Sequence, residues 1–387
     1  MKKILLLLPI LVTLYAQTQE EFRKTQLQAF ENYKQTQLGD FTTYKAQQKK
    51  AYNEYVSDIG KIWVKPKMST KTKWISYSKD KKTRSNVDFK NKTITLQVIS
   101  KSPQEAEQKL KIALAKAVTI DTKKAQESDP LEKILARIKK PKEVKDSPVD
   151  AKPILATVIF DKKPTQKSVA LYVNKHIQSK NIKKIISKKS HNEFVYTVKV
   201  KLPKDTTIKR SKIYYDEIEK QSSKQGIPLS LTFAIMHSES NFNPHARSYV
   251  PAFGLMQLVP KTAGIDAYRY LYKKKRLVSA NYLYNSTNNI TMGTAYLHIL
   301  YYRYLRKIKN PQSRLYCTIA AYNTGAGNIA YAFTRTHNMS KAAPYINKLT
   351  PAEVYEKLLR DLRYDEPKKY LKIVSKRMNG YHKIYEM

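Results

Sequence analysis

An apolar segment in the C-terminal half limits the fold more than any other part of the chain. Residues 229–236 read Leu-Ser-Leu-Thr-Phe-Ala-Ile-Met, with apolar side chains on nearly every side of a helix. Such a helix has to be buried among other helices. Pro228 suits its first position, and Asn241, Asn243 and Pro244 predict its end. From residue 211 onward the pattern predicts helices joined by Gly, Pro and Asn turns, an all-α region.

A single carboxylate, Glu239, is predicted at the C-terminal end of this buried helix. Asp266 is the only acid between Glu239 and Glu353. Burial and the negative end of the helix dipole both raise the pKa of a carboxyl in such a position. An acid that stays protonated near neutral pH is what glycosidic bond cleavage needs as general acid. On the helix alone, a surface carboxylate at a frayed helix end is an equally good interpretation.

Two further motifs follow Glu239 along the chain. Residues 253–260, Phe-Gly-Leu-Met-Gln-Leu-Val-Pro, form an apolar loop whose one amide, Gln257, suits a sugar N-acetyl or hydroxyl group. Residues 320–325, Ala-Ala-Tyr-Asn-Thr-Gly, end a second buried helix. Each motif alone is weak. The set Glu-Ser, Gly-Leu-Met-Gln and Ala-Tyr-Asn-x-Gly, in this order and spacing, resembles the catalytic domain of soluble-type lytic transglycosylases.

The resemblance implies an all-α, goose-lysozyme-like catalytic domain. Enzymes of this family cleave the β-1,4 bond between N-acetylmuramic acid and N-acetylglucosamine in peptidoglycan without using water. The muramic C6 hydroxyl attacks its own anomeric carbon, which leaves a 1,6-anhydro ring. Glu239 would then act first as acid and then as base, with no second carboxylate required. Two alternatives stay open: a hydrolytic muramidase on the same fold, and a non-catalytic peptidoglycan-binding envelope protein.

The same resemblance assigns roles to residues around Glu239. Seven are expected to bind substrate: Ser248, Met256, Gln257, Val259, Tyr322, Asn323 and Tyr370. Three are expected to support the site: Ser240, Gly254 and Glu366. Tyr322 is expected to bond Glu239 or the glycan, and an ion pair with Lys or Arg is the alternative for Glu366. The seven His show no metal-ligand spacing, so neither a metal nor a cofactor is expected.

The order of segments predicts an α+β multidomain protein. Residues 1–16 carry the lysines and apolar run of a secretory signal peptide. Residues 17–62 are predicted to be helical, with aromatic residues at a period of eleven that favours a packing seam. Residues 63–205 are predicted to form a small α+β accessory domain, similar to the N-terminal part of murein transglycosylases of the C type. Residues 206–387 then form the catalytic domain.

Inside the accessory domain, strands are predicted at 73–77, 93–99 and 194–202, and a helix at 103–118. The run Lys-Asp-Lys-Lys at 79–82 is predicted to be the turn between the first two strands. Four prolines between residues 141 and 164 indicate a charged connector.

The charge of the chain indicates its partners. There are 73 Lys and Arg against 31 Asp and Glu, a net charge of +42 that favours polyanions. An exported protein leaves the compartment that holds nucleic acid, so nucleic acid is not an expected partner. Peptidoglycan glycan strands are the expected partner. Association with an anionic membrane surface stays open. Cys317, the sole cysteine, is expected to be a buried structural thiol. Because no cysteine follows the apolar run, we expect a periplasmic or envelope protein that is not a lipoprotein.

Overall fold

The structure, a computed structural model, describes residues 42–189, 192–248 and 251–387. The predicted signal peptide and residues 17–41 of the predicted helical segment lie outside the described residues. The described chain combines a sheet region with a larger helical region, so the predicted α+β multidomain class is confirmed.

The first half of the chain is built on one antiparallel sheet. Its elements, in chain order, are α1 (42–62), β1 (Lys73–Tyr77), β2 (Thr83–Asp88), β3 (Thr93–Ser100), α2 (Pro103–Thr119), α3 (Thr122–Ser128), α4 (Pro130–Ala136), β4 (Val144–Lys145), α5 (Ala156–Ile159), α6 (Gln166–His176), β5 (Lys183–Ile186) and β6 (Phe194–Lys201). Five strands form the sheet in the order β1-β2-β3-β6-β5.

The predicted strands at 73–77, 93–99 and 194–202 correspond to β1, β3 and β6, and the predicted helix corresponds to α2. The prediction of a single turn between the first two strands was wrong, because β2 lies between them and pairs with both. The β2 sequence Thr-Arg-Ser-Asn-Val-Asp has one apolar residue, Val87, so it lacks the alternation that predicts a strand. β5 was also missed.

The two faces of the sheet are covered by different helices. α2 packs Leu110 and Leu114 against Ile94 and Leu96 on one face. α1 packs Tyr55 against Ile75 and Ile99 on the other face, in a cluster shared with α4.

The aromatic repeat of the N-terminal segment contributes to this packing. Tyr44 and Tyr55, eleven residues apart, are both buried, as a packing seam requires. Phe30, Tyr33 and Phe41 lie outside the described residues.

The second half is helical apart from one short strand. Its elements are α7 (Thr206–Ile213), α8 (Tyr215–Gln225), α9 (Leu229–Ser240), α10 (Ile265–Tyr272), β7 (Leu277–Val278), α11 (Ala280–Tyr284), α12 (Ser286–His298), α13 (Pro311–Thr324), α14 (Ala326–Thr334), α15 (Met339–Ile346), α16 (Pro351–Asp361) and α17 (Asp365–Tyr385). Segments Pro260–Gly264 and Ile299–Tyr304 are π-helical. α9 lies at the centre, with α17 along its length.

The connector between the two halves is packed. β4 pairs in parallel with β7, and the Asp150 carboxylate accepts hydrogen bonds from the Ser286 backbone N–H and hydroxyl. Arg210, which is fully buried, donates to the carbonyls of Ile154 and Phe242. These contacts tie the sheet region to the helical region.

Among the helices of the described ranges, none combines the length and the apolar character needed to cross a bilayer. The predicted division at 62/63 and 205/206 falls where α1 ends and α7 begins, and it stays a prediction.

Candidate active site

The central helix α9 carries Glu239 into the interior. Phe233, Ile235 and Met236 are fully buried, because the helix is surrounded on all sides. Pro228 is the N-cap residue, so the helix begins at Leu229, one residue later than predicted. The helix ends where Asn241 adopts a left-handed conformation with φ 55°, a conformation that Asn tolerates better than most residues.

Glu239 lies one residue before this end, and the residue is 5% exposed. Burial raises its pKa above the ordinary value for a carboxyl, and the charge of Glu366 adds to the increase. Lys71 and the hydroxyl of Tyr370 act in the opposite direction. Lys71 Nζ lies 3.6 Å from Glu239 Oε2. Glu239 is therefore a buried acid with a raised pKa, and Lys71 is the cation paired with it among the residues that the structure describes.

The apolar loop after α9 is fixed to its end. Ser240 donates from Oγ to the carbonyl of Leu255 over 2.7 Å, which joins the residue after Glu239 to the loop. Gly254 has φ 75°, and a Cβ there would collide with the Leu283 carbonyl and the Asn289 amide. Asn289, fully buried, accepts from the Met256 backbone N–H over 2.8 Å. Position 254 therefore requires glycine, and the contacts of Asn289 fix the path of the loop backbone.

Gln257 is the loop residue with an unused hydrogen-bonding atom. Its Nε2 donates to the Gly254 carbonyl over 3.1 Å, which fixes the orientation of the amide. Its Oε1 is buried and has no partner among the described residues. This oxygen can accept a hydrogen bond from a ligand N–H or hydroxyl. Its backbone φ is 48°, a left-handed backbone conformation that is unusual for a residue other than glycine.

Met256, predicted to bind substrate, occupies a different position from the one expected. Its side chain is fully buried and packs against Gly293, where a Cβ would collide with the Met256 sulfur. It supports the loop from beneath, and a direct contact with substrate would require it to leave the core. Val259 is half-buried at the end of the loop.

Tyr322, at the end of α13, faces the same loop. Its hydroxyl donates to the Met256 carbonyl over 2.8 Å, so the expected hydrogen bond to Glu239 is not the one that it makes. Burial and the nearby Glu239 carboxyl both raise the Tyr322 pKa. The residue is thus close to Glu239 while its proton is committed to the loop backbone.

Residues of α17 complete the surroundings of Glu239. The Tyr370 hydroxyl is buried beside Glu239 and has no hydrogen-bond partner of normal geometry among the described residues. Burial, followed by the charge of Glu239, raises the Tyr370 pKa. Asn323 donates from Nδ2 to Glu366 Oε1 over 3.5 Å. Glu366 is exposed, and this amide contact takes the place of the alternative ion pair.

Ser248 lies at the edge of the described residues. Its Oγ accepts from the Ala252 backbone N–H over 3.2 Å, and it is half-buried. Across the described ranges, His, Cys, Asp and Glu form no group of three suited to a metal ion. A cavity of about 730 Å³ between β1, β2 and α2 is lined by residues such as Trp74 and Ile112, and by none of the predicted site residues.

Known proteins resemble this chain over most of its length. Residues 216–344 match the transglycosylase SLT domain family. Membrane-bound lytic murein transglycosylase C from Serratia proteamaculans is 32% identical over 314 residues, which cover 80% of this chain and 82% of that protein. The chain belongs to the lytic murein transglycosylase C family. This membership confirms the resemblance inferred from the three motifs and the prediction of an enzyme.

Other members of the lytic murein transglycosylase C family show the same relation. The protein from Klebsiella pneumoniae subsp. pneumoniae is 31% identical over 316 residues, covering 80% of this chain and 82% of that protein. The protein from Photorhabdus laumondii is 41% identical over 199 residues, which cover 51% of this chain and 55% of that protein. A solved structure of the 70 kDa soluble lytic transglycosylase from Escherichia coli is 25% identical and covers 44% of this chain and 24% of that chain, with a TM-score of 0.34. At that TM-score the likeness transfers no residue role.

Two residues near the site, Asn289 and Lys71, were not identified from the sequence. Asn289 fixes the loop through its side chain, and its signal was its place at the start of the family-like motif Asn-Ile-Thr-Met-Gly-Thr-Ala-Tyr-Leu at 289–297. Lys71 carried no signal, because it lies in the accessory region among many other lysines.

Proposed function

We propose that this protein is a peptidoglycan lytic transglycosylase, with Glu239 as its general acid and base. The observation that carries the proposal is a buried carboxyl of raised pKa at the end of α9, with the Tyr370 phenol next to it. The neighbouring loop adds Gln257 Oε1, a buried oxygen with no partner among the described residues. The relatives are named lytic murein transglycosylases, and murein is peptidoglycan. The substrate is the β-1,4 bond between N-acetylmuramic acid and N-acetylglucosamine.

Glu239 acts twice in the proposed reaction. The protonated carboxyl gives its proton to the glycosidic oxygen, and the bond from that oxygen to the muramic anomeric carbon breaks. The muramic C6 hydroxyl attacks the same carbon, and the Glu239 carboxylate takes the hydroxyl proton. The products are a free N-acetylglucosamine end and a 1,6-anhydro-muramic end, and no water is consumed. Because the nucleophile belongs to the substrate, it is already held next to the reacting carbon.

The surroundings of Glu239 support the use of one acid. Burial raises the Glu239 pKa, which favours the protonated form that the first step needs, and the charge of Glu366 adds to this increase. Gln257 Oε1 and the Tyr370 hydroxyl are suited to hold sugar N–H, N-acetyl or hydroxyl groups. Asn323, Val259 and Ser248 are proposed to bind the glycan farther from the reacting bond. Ser240, Gly254 and Met256 hold the loop in place.

Product analysis tests the reaction. Digestion of purified sacculi by the full mature chain, followed by mass spectrometry, is expected to yield 1,6-anhydro-muramic ends. Reducing muramic ends in their place would show a hydrolytic muramidase on the same fold.

The role of Glu239 is tested by Glu239→Gln. Turnover is expected to fall by about two to four orders of magnitude, the usual loss for an acid–base group, while binding to sacculi persists. Glu356→Gln, at an exposed acid of α16, is the matched control and should keep full turnover. Equal turnover in both variants would place the acid elsewhere. Binding without turnover in the unmodified chain would show a non-catalytic envelope protein.

The proposed location is the cell envelope. The relatives carry the description "membrane-bound", and the net charge of +42 suits both the carboxylates of peptidoglycan and an anionic membrane surface. Export through the predicted signal peptide at 1–16 is part of this proposal.

A further inference from the structure

The sheet region reaches Glu239 through the loop that precedes β1. Lys71, in this loop, places its ammonium 3.6 Å from the Glu239 carboxylate. The Glu239 side chain is almost wholly buried, whereas that of Lys71 is 41% exposed. The ammonium therefore lies on the solvent side of the carboxylate, and no other Lys, Arg or His in the described ranges lies within 4.0 Å of it.

Backbone contacts fix the position of this loop. Asn243 donates from Nδ2 to the carbonyls of Thr70 and Lys71, over 3.3 and 3.2 Å. Asn243 lies just after α9, so the backbone of Lys71 is bonded to the segment that ends the helix of Glu239. The Trp74 ring stacks on His245 with 5.7 Å between the centroids. The approach of Lys71 to Glu239 is thus determined by the docking of two regions of the fold.

The charges around Glu239 come from several elements. α17 supplies Glu366, whose charge raises the Glu239 pKa, and the neutral phenol of Tyr370. α13 supplies the neutral phenol of Tyr322. Lys71 is the positive charge that opposes the effects of burial and Glu366. Without it, the carboxyl would hold its proton more tightly and release it less readily to a glycosidic oxygen.

We propose that Lys71 is a positioning residue of the active site, which the sheet region supplies to stabilise the Glu239 carboxylate between its two proton transfers. The proposal rests on the proposed role of Glu239 as acid and base and extends the active site to the accessory region. Once Glu239 has protonated the leaving oxygen, its carboxylate needs a partner until it takes the proton of the C6 hydroxyl. The Lys71 ammonium, 3.6 Å from Glu239 Oε2, provides that partner and acts on the reaction through Glu239.

The test is a titration of Glu239 in the full chain with and without the Lys71 charge. The carboxyl carbon of Glu239 is followed by NMR of protein labelled at glutamate, and its signal is identified by its loss in Glu239→Gln. An opposite charge at this distance lowers a carboxyl pKa by about one to three units, and the exposure of Lys71 favours the lower end. In Lys71→Met we therefore expect the midpoint to rise by about one pH unit. The alkaline limb of turnover on sacculi should move upward with it.

Two variants serve as controls. Lys71→Arg keeps the charge and should restore the midpoint and the pH profile of the unmodified chain. Lys73→Met removes a lysine of similar exposure, 44%, that pairs with Asp88 at 3.5 Å, and it should leave the titration of Glu239 unchanged. Circular dichroism checks that all variants are folded.

The outcomes separate this proposal from the proposed function. An unchanged Glu239 midpoint in Lys71→Met would overturn the role of Lys71. An equal gain in turnover at every pH would also overturn it, because Lys71 would then be obstructing the site. If the unmodified chain releases no anhydro product, the proposed reaction fails, whereas the NMR titration still reports whether Lys71 and Glu239 are coupled.

Discussion

Asn289 is expected to be the residue on which the position of the loop that carries Gln257 depends most. Its side chain is fully buried on α12. It accepts from the Met256 backbone N–H over 2.8 Å and donates to the carbonyls of Phe253 and Leu283, over 3.0 and 2.7 Å. All of its hydrogen-bonding groups are therefore used to join the loop to the helical core.

The cost of Asn289→Ala follows from these three bonds. The Met256 N–H loses its partner inside the protein, which costs about 1–3 kcal/mol. Each carbonyl loses a bond worth about 1 kcal/mol, and Phe253 keeps a second donor, the Leu258 N–H at 3.2 Å. The free energy of unfolding should fall by about 3–5 kcal/mol in total. For a domain of about 150–250 residues, each kcal/mol lowers the midpoint of thermal unfolding by roughly 2–4 °C. The expected fall is therefore about 10 °C.

Thermal unfolding of the full chain, followed by circular dichroism, measures this loss. Asn288→Ala is the matched control, since the neighbouring side chain makes no hydrogen bond in the described part of the chain and should cost under about 1 kcal/mol. Below its own midpoint, Asn289→Ala should also turn over sacculi more slowly, because Gln257 is held by the same loop. Equal midpoints for the two variants would refute the reasoning.

Two further predictions concern pH and salt. Burial lowers the pKa of His245 to about 4, below its ordinary 6.5, so its contribution to stability is full above pH 6.5 and is lost as the pH falls towards 4. The difference amounts to about 3 kcal/mol, and urea unfolding of His245→Gln should depend less steeply on pH over this range. Binding of the full chain to sacculi should weaken steeply between about 0.1 and 0.5 M salt, because screening shortens the reach of its net charge of +42, whereas turnover of a short soluble glycan should change little. Sedimentation with sacculi measures the binding, and binding indifferent to salt would mean that the charge serves another partner.

Local sequence was sufficient wherever one element carries its own signal. The apolar run before Glu239 predicted a buried helix, and Asn241 predicted its end, because both depend on side chains adjacent in the chain. β1, β3 and β6 were found because they carry β-branched and apolar residues. β2 was missed because its polar side chains alternate with small ones, and its strand conformation comes from pairing on both edges. Pairing partners that lie elsewhere in the chain leave no local pattern.

The same distinction between local sequence and tertiary packing applies to the candidate site. Glu239, Gln257 and Tyr322 were named from motifs, since the residue types and their spacing carry the chemistry. The sequence could not reveal that Met256 faces the core or that the Tyr322 proton goes to a loop carbonyl, because side-chain direction depends on packing. Lys71 is the clearest case. A charge acts on a carboxylate through space, and the docking of the sheet region on the end of α9 brings one lysine among many to 3.6 Å from Glu239.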